Sequence, residues 1–398
     1  MSPSFQLLIA ALHARIHPQA RQRLSLLIGQ ATEENWHHFL ELSKYHKVSN
    51  LARSSFNKNE LWQMLPKFVQ QILEDRHRNS VAWSLKICHT LEQVVSISEK
   101  AEIPIIPWKG PVLSQTLFKN TWEREYIDLD FLVPLENIPA LDLLLRQLNY
   151  QPEEPRLMEY PPSLANNNDH CVSYFHQTNK SLLEIHWKPF PSAFRFTRSV
   201  DDMLISSETM PFSGLTIQRL SHEDEFLLLL AHGAKHHWCQ LNWLYDFACF
   251  IQQHLDCLDW KLVNFRTQQL GCTRILKTAL RLCDDYFKVI VPSNQLARPA
   301  TDPTACRMAT AFSVQIQKVT ELSSSQKLLK GKCHRSIQSM LARERFRDRL
   351  PVIASFVGYL MTPSQNDRSY SPKSCLFAWT IRPFRLILKH GFNLVMSK

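Results

Sequence analysis

At 398 residues with 44% apolar content, the chain is long enough for two or three domains and has the material to fill their cores. No stretch reaches the roughly 18 to 20 uninterrupted apolar residues that a spanning helix needs, and the ten cysteines form no CxxC pair. Close couples such as Cys249 and Cys257 lack partners at zinc-finger spacing, so the chain reads as a globular cytoplasmic protein with reduced thiols, soluble or peripheral to a membrane.

The net charge of +10 is localised. Lys327 to Lys398 holds 14 Lys and Arg against 3 Asp and Glu, so that segment is +11 and the remainder −1. A basic end behind a near-neutral body points to nucleic acid, a phosphorylated acceptor or an anionic membrane face, engaged by Arg343, Arg345, Arg347, Arg349, Arg382, Arg385 and Lys389 with Phe384, Leu386 and Phe392 as apolar anchors. A solvated basic surface is the plain alternative.

In chain order, residues 1–98 carry apolar residues at helical spacing through Phe5-Leu8-Leu12, Trp36-Phe39-Leu40 and Val81-Leu85-Leu91-Val95. The first of these predicts an amphipathic helix rather than a signal peptide, because no basic residue precedes it and His13 and Arg15 interrupt it. The pattern changes at Ile103 to Trp108, a short strand bounded by prolines, followed by Lys109-Gly110 and a helix opening at Pro111. Tyr126 to Val133 alternates strictly and predicts a second strand, then a helix from about Ile138 to Leu148. Cys171 to His176 and Leu182 to Trp187 predict a pair of strands. From Ser221, an N-cap ahead of Glu223 and Asp224, helices resume to about 326. Four regions follow: helical 1–98, a mixed core 99–220, helical 221–326 and basic 327–398.

On a strand, residues i and i+2 share a face, so Asp128 and Asp130 point to one side while Ile127, Leu129 and Phe131 point to the other. Glu184 and His186 repeat the arrangement opposite Leu183, Ile185 and Trp187. With the two strands adjacent, three carboxylates converge on one face of a sheet whose other face is covered by helices. Magnesium, or manganese in its place, takes such oxygen ligands and leaves further positions to substrate phosphates. Asp128 and Asp130 would bridge two ions. Glu184 would complete the site facing the acceptor hydroxyl and take its proton. Like charges so crowded also predict that Asp128→Asn or Asp130→Asn leaves stability unchanged or higher.

Lys109 and Gly110 supply the other half of a phosphate site, glycine allowing close backbone approach and the helix start offering free N–H groups. Arg124 can contact phosphate or pair with Glu123, Glu125 or the two aspartates. His232 and His236 share a helix face, but Gly233 stands where a zinc protease needs glutamate. Packing on Trp238, bonding to Asp246 and substrate contact are their open roles. Asp246, alone on an apolar stripe, needs a partner, with His232, Lys235 and His236 as candidates.

Trp108-Lys109-Gly110-Pro111, Arg124-x-x-x-Asp128-Leu129-Asp130 and Leu183-Glu184-Ile185-His186-Trp187 together resemble the poorly characterised bacterial nucleotidyltransferase family of the polymerase β-like superfamily. His232 to Trp238 and Leu241 to Asp246 resemble its helical continuation, so the likeness covers about 103–251. The resemblance implies an α+β fold with a polymerase β-like palm, flanked by N-terminal and C-terminal helical regions. It also implies transfer of a nucleotide from a nucleoside triphosphate, ATP among them, with no agreed acceptor. Lys109-Gly110 replaces the Gly-Ser or Gly-Gly of the wider superfamily, and Glu184 stands where aspartate is more usual. A glycosyltransferase using Asp-x-Asp is the competing class, but it expects a strand-rich half where this chain is helical; a non-catalytic scaffold is the other.

Overall fold

The computed structural model describes residues 1–153, 170–191, 194, 196–292, 296, 301–317, 339 and 342–361. It forms two units, one of residues 1–192 with 196–319 and a second of 193–195 with 320–398.

The leader begins with α1 (Pro3–Ile16), where Ser2 accepts the Phe5 N–H and Pro3 occupies the first turn, as N-terminal capping favours. Next come α2 (Arg21–Gln30), α3 (Glu33–Tyr45), α4 (Ser49–Lys58) and the 34-residue α5 (Lys67–Lys100). Phe5, Leu8, Leu12, Trp36, Phe39 and Leu40 are buried at the expected spacing. On α5 the buried face is Ile87, Leu91 and Val94, while Leu85 is 62% exposed. The expected stripe holds at Leu91 and Val95 and is corrected at Leu85, which stands one position off the buried line through Ser84, Ile87 and Leu91.

The mixed region contains β1 (Ile106–Trp108), α6 (Gly110–Phe118), β2 (Asp128–Leu132), α7 (Ile138–Gln147), β3 (Tyr150–Pro152), β4 (Cys171–His176) and β5 (Leu182–His186). The sheet order is β1-β2-β5-β4-β3, with β2 and β5 parallel and the other neighbours antiparallel. One face carries Leu129, Phe131, Leu183 and Ile185, which pack with Ile87, Leu91 and Val94 of α5 and Leu141 and Leu145 of α7. Each such side chain contributes about 1.5–3 kcal/mol by leaving water. Covering this face forces the alternate residues of β2 and β5 onto the other. Ile127 is corrected here: it precedes the strand and is 59% exposed instead of joining the apolar face.

A short helix α8 (Val200–Ile205) leads into the hairpin of β6 (Glu208–Phe212) and β7 (Leu215–Arg219). Its two-residue turn, Ser213-Gly214, has positive φ at both positions, the requirement that makes glycine fit there. Then come α9 (His222–Lys235), α10 (Leu241–His254), α11 (Trp260–Gln269), α12 (Thr273–Phe287) and α13 (Pro303–Gln317). Ser221 caps α9 by accepting the Asp224 N–H, and the buried Asp224 pairs with Arg198 and with Arg266 at 3.0 Å. These helices also meet the leader directly: Tyr245 donates to the Leu12 carbonyl at 3.2 Å, and His17 Nε2 lies 3.0 Å from the Phe287 carbonyl.

In the second unit, α14 (Phe346–Met361) follows the first basic residues of the tail. Arg343 is 2% exposed, with its guanidinium over the Phe194 ring and a bond to the Phe194 carbonyl. It is corrected from surface cation to buried group. Arg382, Phe384, Arg385, Leu386, Lys389 and Phe392 lie outside the described residues. Among the described residues no helix is long and apolar enough to cross a membrane.

Candidate active site

On the face away from α5, the parallel register sets Asp130 opposite Glu184 and Leu132 opposite His186. His186 Nε2 lies 3.0 Å from Asp130 Oδ1 and 3.3 Å from Glu184 Oε2. Donor atoms of Asp130, Glu184 and His186 all fall within 4.8 Å of one another. Asp128 stands two residues back on the same face of β2 and lines the same cavity of about 280 Å³.

The charges of this cluster are unequal. Burial raises the Asp128 carboxyl to about 6, and Asp130 and Glu184 add to the rise against Lys109 and Arg124. Burial acts the same way on Asp130, but Lys109 and His186 overcome it and hold that carboxyl at about 2. The bond to His186 depresses Glu184. Burial opposes the charge of His186, yet the bonds to Asp130 and Glu184 outweigh it and raise the imidazole. Asp130 and Glu184 thus have internal counter-ions, and Asp128 is the carboxylate left short of positive charge.

The β1–α6 turn supplies Lys109 and Gly110. Lys109 has φ 57° and ψ −145°, a conformation that favours glycine, and Gly110 follows at φ 46°. A side chain at Gly110 would meet only ordinary contacts, 3.5 Å from the Asp128 carbonyl, so the dihedral rather than the space calls for glycine. Lys109 Nζ lies 3.5 Å from Asp130 Oδ1 and 3.8 Å from the Trp108 ring centre.

Arg124 also lines the cavity, but its Nε donates to Asp246 Oδ2 at 2.8 Å and both residues are buried. This corrects both expected pairings: Asp246 takes neither His232, Lys235 nor His236, and Arg124 takes none of its neighbouring acids. The cause is tertiary, since α10 packs against α6 and carries Asp246 under Arg124. The neighbouring acids face the leader instead: Glu123 accepts from Arg15 and Ser54, and Glu125 accepts the Ser49 N–H at 2.8 Å.

His232 and His236 reach the cavity from α9. His236 stacks on Trp243 at 4.5 Å between ring centres, and His232 lies edge-on to Trp108 at 6.3 Å. Neither packs as expected on Trp238, whose indole covers Gly233 so closely that a β-carbon there would lie 2.1 Å from it. Gly233 is thereby explained by packing. Burial, then Lys109, drives His232 well below its ordinary pKa, and burial, then Lys235, takes His236 to about 4. Both rings are neutral near pH 7.

Sequence patterns did not single out Lys47, Lys235, Trp243 or Phe190 as cavity residues. Lys235 had a local signal, three residues after His232 on the same helix face. Lys47, between α3 and α4, and Trp243 enter only through tertiary packing.

The family model described as uncharacterised nucleotidyltransferase matches residues 32–288, from α3 to just past the end of α12. No curated protein and no solved structure matches the chain. The match extends well beyond 103–251, taking in most of the leader and the two helices α11 and α12 that follow α10. The mixed sheet is its polymerase β-like palm, flanked by helical regions.

Proposed function

The chain belongs to the uncharacterised nucleotidyltransferase family, and on that premise we propose that it moves a nucleoside monophosphate from a nucleoside triphosphate to a hydroxyl acceptor. The observation that carries this reading is the convergence of Asp128, Asp130 and Glu184 in a cavity that also receives Lys109. The donor set fits Mg2+ or Mn2+: hard carboxylate oxygens, one of them crowded by its neighbours even with Lys109 and Arg124 nearby. A cation bound there by Asp128, Asp130 and Glu184 would neutralise charge on the triphosphate and on the departing pyrophosphate.

The chain's own residues account for the rest. Lys109 exchanges Asp130 for a β- or γ-phosphate, and Lys47 and Lys235 add charge at the rim of the cavity. The plane of Trp243, backed by His236, and the exposed Ile127 offer apolar surface to a base. Glu184 is the more open partner of His186, with 31% of its side chain exposed against 4% for Asp130, which suits it to take the acceptor proton. The acceptor oxygen then bonds to the α-phosphorus, the bond to the bridging oxygen breaks, and pyrophosphate leaves. His186 keeps the two carboxylates oriented. A cytoplasmic setting, where triphosphates and divalent cations are plentiful, accords with this chemistry.

The test is incubation with each α-labelled triphosphate, Mg2+ or Mn2+ and a cell extract, followed by identification of the labelled acceptor. Asp130→Asn should lower labelling by several powers of ten. Absence of label from every triphosphate would leave the scaffold alternative, and label from a nucleotide-sugar would favour the glycosyltransferase.

A further inference from the structure

The far end of the α9–α10 pair carries a second cluster, about 15 Å along α9 from His232. His222 opens α9, His254 closes α10, and Cys257 lies in the turn beyond. Cys257 Sγ is 3.5 Å from His254 Nδ1 and 3.9 Å from His222 Nδ1, and the two ring centres are 4.2 Å apart. A tetrahedral zinc ion, with bonds of about 2.3 Å to sulfur and about 2.0 Å to imidazole, separates such ligands by about 3.6 Å. The side chains therefore stand near ligand spacing already. Phe250 backs both imidazoles, at 6.4 Å and 4.5 Å between ring centres, and holds their planes. Cys257 is exposed, which leaves a path in from solvent.

We propose that His222, His254 and Cys257 form a zinc site with an open fourth position, stapling the start of α9 to the end of α10. On binding, the thiol loses its proton to solvent and the thiolate and two imidazole nitrogens bond the ion. Ligation through Nδ1 leaves each ring proton on Nε2. Arg219, 3.2 Å from His222 Nε2, must then turn fully to Glu208, with which it already pairs. Among the described residues, His254 Nε2 is buried without a hydrogen-bond partner. Rings lacking an acceptor behind them bind metal about 10–100-fold more weakly, so micromolar affinity is expected rather than that of a closed cysteine-rich site. The sequence gives Cys257 no partner at zinc-finger spacing; the site forms because the packing of the two helices brings His222 beside His254 and Cys257.

Cobalt(II) titration of the full chain tests the site, because a thiolate–cobalt charge-transfer band reports sulfur ligation and is silent for carboxylates. The expected result is a band saturating near one equivalent and bleached by Zn2+. It should be abolished in Cys257→Ser, weakened at least tenfold in affinity in His254→Ala or His222→Ala, and retained in Cys171→Ser, which controls for the thiol beside the cavity. No band in the wild-type protein, or a band that survives Cys257→Ser, overturns the proposal. Cys257 is exposed, so its serine variant keeps the fold.

Discussion

Asp128 and Asp130 are two residues apart on one strand, yet their surroundings move their carboxyls in opposite directions. The Asp128 pKa, raised to about 6, means that the folded chain holds this proton more tightly than the unfolded chain does. Its contribution is present at low pH and lost as pH rises through about 4 to 6. At pH 8 this rise corresponds to about 2–3 kcal/mol of destabilisation, so Asp128→Asn should raise the melting temperature by about 4–6 °C there and leave it unchanged at pH 4. Asp130 has the opposite sign. Its pKa, depressed to about 2, gives stability above the ordinary carboxylate range that is lost as pH falls toward 2. Asp130→Asn strands His186 and Lys109 beside a neutral amide and should lower the melting temperature by several degrees at pH 7. Thermal melts of both variants from pH 4 to pH 8 decide this. Equal shifts in the two would show that crowding alone, the expectation from sequence, governs the pair.

The β1–α6 turn shows how far a strand–turn–helix element can be foreseen. Alternation along β2 and β5 was enough to place the acidic face, because one residue of slip would have buried the carboxylates in the cluster around Phe131. Lys109-Gly110 was legible as a turn, but not the backbone of Lys109, which occupies a glycine-like conformation while its amine reaches Asp130. Nor could the Arg124–Asp246 pair be seen, since its members are 122 residues apart and meet only once α10 packs on α6. Leu85 and Ile127 depart for different reasons: Leu85 lies one position off the buried line through Ser84, Ile87 and Leu91, and Ile127 lies ahead of the strand whose alternation would have buried it. The strain at Lys109 can be isolated. Lys109→Gly and Lys109→Ala both remove the amine and should both weaken triphosphate binding, but glycine relieves the positive φ and alanine does not. Denaturant unfolding should therefore find Lys109→Gly more stable than Lys109→Ala by about 1 kcal/mol. Alanine equal to or above glycine would mean that the turn is unstrained.

At the scale of the first unit, the cavity is built from parts far apart in the chain: Lys47 from the leader, Lys109, Asp128 and Glu184 from the palm, and Lys235, His236 and Trp243 from the helical segment that follows it. A ligand touching all three adds its binding energy to the folded state of the whole unit. At 100 times its dissociation constant such a ligand stabilises by about 2.7 kcal/mol, and a melting transition of this size moves by roughly 2 °C per kcal/mol. MgATP or another magnesium–triphosphate should thus raise the melting temperature by about 5 °C. The triphosphate alone should do much less, because its charge meets three carboxylates at short range and Lys109 is already committed to Asp130. Magnesium alone should shift the melt slightly and only above about pH 6, where Asp128 has lost its proton. Asp128→Asn should remove most of the joint shift at pH 8 even though the variant itself melts higher. This inversion, a more stable protein that no longer responds to ligand, separates an electrostatic metal site from a merely structural acidic cluster. A wild-type melt indifferent to every triphosphate, with magnesium and with manganese, would remove the nucleotide site.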